Sequence, residues 1–182
     1  MKQALIFLAE GFEEMEAVTP LDLLRRAGVD AKFVSLSGTL HVTGSHGVVY
    51  RADMLFDRNL AAQADMFILP GGMPGAQHLQ DHVALGELLK TACAAGKWVC
   101  AICAAPMVLG HLGLLQGKKA TIYPGMEARL IGATPVTECV CCDGNIITSR
   151  APGTAIPFAL ALIAALMGED AAKAIQSDIV FD

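Results

Sequence analysis

The chain has 182 residues, of which 54% are hydrophobic and 17% charged, with a formal net charge of −5. Length and composition fit one well-packed domain over 1–182 and exclude a disordered or disulfide-stapled chain, so the six cysteines are expected as reduced thiols. The acidic balance leaves no basic stripe for nucleic acid, and no apolar run reaches the roughly 18 residues of a membrane helix.

The segment QALIFLA (3–9) is a short apolar run, as expected of a strand covered on both faces. Glu10 follows it and no cleavage site is evident, which points to a cytoplasmic location. Beyond EGFEE, Met15, Val18, Leu21, Leu24 and Ala27 recur at helical spacing, and Gly28 closes the helix. AKFVSLS (31–37) reads as a strand, and 40–56, with Gly44 and Gly47 between alternating runs, as an antiparallel excursion. DMFILPGG (65–72) is a buried strand ending in a tight turn. A helix over 82–96 carries Leu85, Leu88, Leu89 and Ala92 on one stripe. KWVCAI (97–102) is a strand leading into a helix from Cys103 to about Leu112, and KATIYP (119–124) is a further strand. Asp143-Gly144 marks a hairpin, and 153–168 a helix that tolerates Pro157 in its first turn. Strands alternating with helices give an α/β sandwich with a mostly parallel sheet, and in such folds ligands sit at the carboxyl ends of the strands. AEGFEEME, LPGGMPGA and AICAAP all fall there.

Cys103 sits on a predicted strand-to-helix turn, where first-turn N–H groups favour a thiolate and can draw a thiol from about 8.5 toward roughly 4–7. The competing reading is a buried inert thiol, since cysteine is among the most buried residue types. Pro70-Gly71-Gly72 lets backbone amides approach a ligand, as an oxyanion site requires, although an ordinary tight turn looks the same. Glu13 and Glu14 are explained by the helix dipole alone. Glu16 can instead face the crevice, and beside a thiolate it would have to be protonated.

Together AEGFEEMEAVTPLDLLRRAG, FILPGGMPGAQHL, AICAAP and ITSRAPGTAIPFALALIAAL resemble the ThiJ/PfpI superfamily, in the branch of the Parkinson-disease-associated protein deglycase and its bacterial relatives. The resemblance covers nearly the whole chain in one register. It implies a flavodoxin-like three-layer sandwich, usually a homodimer. It implies Cys103 as the oxidation-sensitive nucleophile, Glu16 as its hydrogen-bond partner, and Gly72 and Ala104 as oxyanion-hole amides. It also places Gly71, Tyr123, Arg150 and Pro152 on the substrate pocket and Arg26 near the dimer contact.

The activity implied is that of a glutathione-independent glyoxalase or deglycase acting on small aldehydes or their adducts, without cofactor or metal. The alternative is an oxidative-stress sensor or redox-regulated chaperone in which Cys103 becomes a sulfinate. Tyr123 stands where human-type sequences have a histidine and cannot act as a base near neutrality. Ala104, not a histidine, follows the cysteine, which speaks against a peptidase. His46 stands where the branch often has a pocket arginine. His41, His46, His78, His82 and His111 show no metal spacing, and His78, just after the PGG turn, is the one other histidine that stands out. Cys100 and Cys103 form a C-x-x-C, but with Cys100 inside a strand the thiols would be ~10 Å apart, too far for a disulfide.

Overall fold

In the computed structural model, which describes residues 1–182, a strand apolar on both faces takes the middle of a covered sheet. This is β1 (Gln3–Leu8), in which Ala4 to Leu8 are at most 1% exposed. After it come α1 (Glu14–Arg26), β2 (Asp30–Ser35), β3 (His41–Thr43), β4 (Val49–Arg51), β5 (Met54–Leu55) and the single turn α2 (Arg58–Ala61). The middle of the chain holds β6 (Met66–Leu69), α3 (Gly75–Asp81), α4 (Val83–Ala94), β7 (Trp98–Ile102) and α5 (Pro106–His111). The remainder forms β8 (Lys119–Ala120), β9 (Thr134–Pro135), β10 (Val140–Asp143), β11 (Ile146–Ser149), α6 (Ala155–Met167) and α7 (Glu169–Asp178).

Seven strands make one sheet in the order β10-β11-β7-β6-β1-β2-β5, parallel except at β10. One helical layer groups α1, α6 and α7, and the other α2 to α5, so the sheet is sandwiched as expected. A continuous cluster of 51 buried apolar residues fills the space between the layers. Asp143 pairs with Ile146 across Gly144-Asn145, with Gly144 at φ +62°, which is the predicted hairpin. The excursion over 40–56 is the antiparallel pair β3–β4.

Three expectations need correction, and one element went unpredicted. The buried residues of α1 are Glu14, Glu16, Ala17, Pro20, Leu23 and Leu24, while Met15 is 55% exposed; carboxyl groups occupy places where hydropathy alone looks for apolar side chains. The run 119–124 is strand only at Lys119–Ala120, paired with β9 outside the main sheet. Beyond it the backbone is engaged elsewhere: Thr121 N–H donates to Thr148 Oγ1 and Tyr123 N–H to the Cys103 carbonyl. The helix predicted from Cys103 starts at Pro106, the fixed φ of proline suiting it to that position. Finally α7, amphipathic but poor in large apolar residues, escaped the pattern.

Asn145 ties the hairpin to the α4–β7 connection: its side-chain amide donates to the carbonyls of Cys93 (3.0 Å) and Lys97 (2.7 Å). Asn145→Ala leaves both acceptors without that donor and is expected to cost about 1–3 kcal/mol. For a chain of this size that lowers the thermal midpoint by roughly 2–4 °C per kcal/mol. An unchanged midpoint in thermal denaturation would contradict this role.

Candidate functional site

The turns that follow β1, β6 and β7 converge at the carboxyl edge of the sheet. At the third, Cys103 adopts φ +64°, a left-handed conformation that costs a non-glycine residue roughly 1–3 kcal/mol and persists only where its surroundings enforce it. Here they do: Cys103 N–H donates to the Ser149 carbonyl and the Cys103 carbonyl accepts from Tyr123 N–H, both at 2.9 Å.

Cys103 is 8% exposed, and its sulfur is approached by the amides of Gly72 and Ala104 and by the Glu16 carboxyl group. The thiol is pushed up to about 12, first by burial, then by the Glu16 charge and hydrogen bond, against the pull of the two amides. This reverses the expectation of a thiol lowered by a helix dipole. The sulfur precedes a helix of only six residues by a three-residue turn, and burial beside an acid outweighs what that helix end supplies.

Glu16 is fully buried. Its Oε2 accepts from Gly71 N–H at 2.8 Å, while Oε1 has no hydrogen-bond partner of full geometry. The carboxyl group is raised to about 7, chiefly by burial, with Glu13 adding to the rise and the Cys103 and Gly71 hydrogen bonds opposing it. The thiol and the carboxyl group therefore titrate as one unit that loses a proton near 7 and a second near 12. Between those values the pair carries one negative charge. Amides favour it on sulfur at Gly72 and Ala104 and on oxygen at Gly71, and the bare Oε1 disfavours the carboxylate.

The predicted set Cys103, Glu16, Gly71, Gly72 and Ala104 is thus brought together. Tyr123 is held at the site by its backbone amide, with its residue 46% exposed. The Arg150 guanidinium donates to the Thr137 carbonyl, Pro152 opens the turn into α6, and Arg26 pairs with Asp22 on the surface. All six cysteines are free.

Three further residues brace the site. Glu13 is 7% exposed; its Oε2 caps α1 by accepting from Glu16 N–H at 2.8 Å, and its own N–H donates to the Gly71 carbonyl at 2.9 Å. Glu14 accepts from His46 through N–H and Nδ1, both at 2.8 Å, joining α1 to the β3–β4 loop. Burial works to raise Glu14, but the bonds from His46 prevail and hold it below the ordinary carboxylate value, while His46 is raised, mainly by its hydrogen bond to Glu14. The dipole reading of these two acids was therefore incomplete. The signal available for Glu13 was its placement three residues before Glu16, the capping-box interval. Glu13, Glu14 and His46 offer ligand atoms within 4.8 Å of one another, a grouping suited to a cation. Both Glu14 oxygens and His46 Nδ1 are already bonded to each other or to Ser45, so the group acts as a brace.

The sequence profile described as the DJ-1/PfpI family matches residues 2–165. Protein DJ-1 homolog A of Arabidopsis thaliana is 40% identical over 97% of this chain, which spans 46% of that relative's length. A deglycase of Pyrococcus abyssi is 32% identical, covering 83% of this chain and 91% of its own. The solved structure of oxidized DJ-1 from Toxoplasma gondii superposes with a TM-score of 0.94 at 39% identity, over 100% of this chain and 99% of the other.

A Cβ added at Gly71 would lie 2.7 Å from Glu16 Oε2, 2.8 Å from Cys103 Cβ and 3.0 Å from Ala104 N. Gly71→Ala is expected to push the acid and the thiol apart at a cost of about 1–3 kcal/mol. The alkylation pH profile of Cys103 should then move toward the ordinary thiol value of about 8.5. A variant that keeps the parent profile would show that this contact does not govern the sulfur.

Proposed function

The chain belongs to the DJ-1/PfpI family, and from that premise we propose that it is a cysteine-dependent enzyme acting on reactive carbonyls of the glyoxal and methylglyoxal type. The observation that carries the proposal is the contact of a buried neutral-capable acid with a thiol whose sulfur is also approached by two backbone amides. Glu16 as COOH and Cys103 as thiolate form the working state. We also read residues 1–182 as one domain working as a homodimer in the cytoplasm, where free thiols stay reduced.

The thiolate adds to an aldehyde carbon, forming the C–S bond as the carbonyl electron pair moves to oxygen. The amides of Gly72 and Ala104 stabilise that oxygen, and Glu16 supplies its proton. The resulting Glu16 carboxylate removes the hydrogen on the sulfur-bearing carbon, giving an enediolate, and returns the proton to the neighbouring carbon while the hydroxyl proton of the sulfur-bearing carbon passes to the neighbouring oxygen. One carbon is oxidised while its neighbour is reduced, so the step balances without an external oxidant and leaves a 2-hydroxyacyl thioester. Water attacks the thioester, Glu16 takes the proton of that water, and the thiolate leaves. The net change is dicarbonyl plus water to a 2-hydroxy acid. A glycated amine or thiol enters once its hemiaminal or hemithioacetal collapses, releasing the free amine or thiol and restoring the aldehyde for the same addition, as the deglycase name of the Pyrococcus relative suggests.

The oxidized state named for the Toxoplasma protein favours a second reading, in which peroxide converts the same sulfur to a sulfinate held by Glu16 and the amides. Turnover separates the two. Under the enzyme reading Cys103→Ala reduces glyoxal consumption to the uncatalysed background, and Glu16→Gln lowers it by roughly 10²–10⁴-fold. Consumption that survives Cys103→Ala would rule the enzyme out.

A further inference from the structure

At the same edge of the sheet, where β1 and β2 end, a cavity of about 120 Å³ lies between Ala9, Glu10, Leu36, Ser37, His78 and His82. His78 and His82, four residues apart at the end of α3, both line it, and neither takes part in the chemistry of Cys103.

Hydrogen bonds fix the polarity of the polar side chains among these lining residues. His78 Nδ1 lies 2.9 Å from the Glu10 carbonyl, which only accepts, so Nδ1 carries the hydrogen and Nε2 of the neutral ring is a lone pair. His82 Nδ1 accepts from Leu85 N–H at 3.1 Å, so the neutral ring has its hydrogen on Nε2. Ser35 Oγ gives its hydrogen to the Thr39 carbonyl, so the 2.9 Å contact between Ser35 and Ser37 hydroxyls has Ser37 as donor. Ser37 Oγ then offers only lone pairs to the cavity. Glu10 Oε2 accepts from Thr43 N–H at 3.0 Å, leaving Oε1 without a protein donor. The residues lining the cavity therefore carry free acceptors at His78 Nε2, Ser37 Oγ and Glu10 Oε1, a single N–H at His82, one negative charge at Glu10, and the apolar side chains of Ala9 and Leu36.

We propose that this cavity is a binding site for a primary ammonium group, carried by a small alkylamine or by a lysine side chain. An –NH₃⁺ group brings three donors and one positive charge to a site that presents acceptors and a carboxylate. An anion would meet Glu10 and find one donor, and a carbonyl compound would leave the acceptors unpaired. The site is separate from the nucleophile and does not depend on the reaction proposed for it.

The test uses full-length protein with isotope-labelled histidines, following the His78 and His82 imidazole resonances as n-butylammonium is added. A saturable shift of both rings is expected, with a millimolar-range dissociation constant of the kind worth about 4 kcal/mol. Butyltrimethylammonium, which keeps the charge and has no N–H, should bind at least about tenfold more weakly, a difference of about 1.4 kcal/mol. Glu10→Gln, which retains an oxygen for Thr43 N–H, should also weaken binding about tenfold, while Cys103→Ala leaves it unchanged. A short peptide with one central lysine distinguishes the two sources: tighter binding than n-butylammonium assigns the site to a lysine side chain, and weaker binding to a free amine. No saturable shift from either amine up to roughly 0.1 M, or equal affinity for the trimethylated ion, would overturn the proposal.

Discussion

Two acids buried in contact hold one charge between them, and the candidate site is arranged around that constraint. Neither Glu16 nor Cys103 can ionise alone without losing water, and each opposes ionisation of the other. The first proton leaves near neutrality only because the remaining charge has backbone amides on both partners. An isolated thiol with the same burial would stay neutral. A charge confined to the carboxylate would sit beside the bare Oε1 in the core.

The fold supplies what the pair needs through its backbone. The β6 turn aims the Gly71 amide at the acid and brings the Gly72 amide to the sulfur, and the strained conformation of Cys103 presents the sulfur to both. Glycine at 71 is a steric requirement, since any side chain would enter the contact itself. Glycine at 72 is required on two counts, because φ is +82° and a Cβ would lie 2.5 Å from Glu13 N. Glu13 then locks α1 to this turn from the other side through its capping carboxylate and its own amide. The central apolar strands give these turns a rigid base, which is why a constellation carried on two turns and the first turn of α1 holds its geometry.

Much of this was legible in the sequence. Continuous apolar runs identified β1, β6 and β7, and the stripe of Leu85, Leu88, Leu89 and Ala92 identified the buried face of α4. Asp143-Gly144 marked the hairpin, and the PGG and AICAAP turns marked the site. What escaped depends on tertiary contacts. The inward face of α1 is set by a buried glutamate, so hydropathy misplaced Met15. The direction of the thiol shift follows from burial next to Glu16, which no local spacing reveals. The role of Glu14 required His46, distant in sequence and brought close only when the β3–β4 loop folds over α1.

The most direct test of the shared charge is the rate of Cys103 alkylation by iodoacetamide as a function of pH, measured on the native chain and on Glu16→Gln. Raising the pH through the first ionisation creates the monoanion, so the native rate should rise with a midpoint near 7. Glutamine cannot accept the thiol proton, and burial remains, so the variant's midpoint should move above the ordinary thiol value of about 8.5. A native rate that stays flat through neutrality, or one whose midpoint is the same in Glu16→Gln, would contradict a proton held jointly by the two residues.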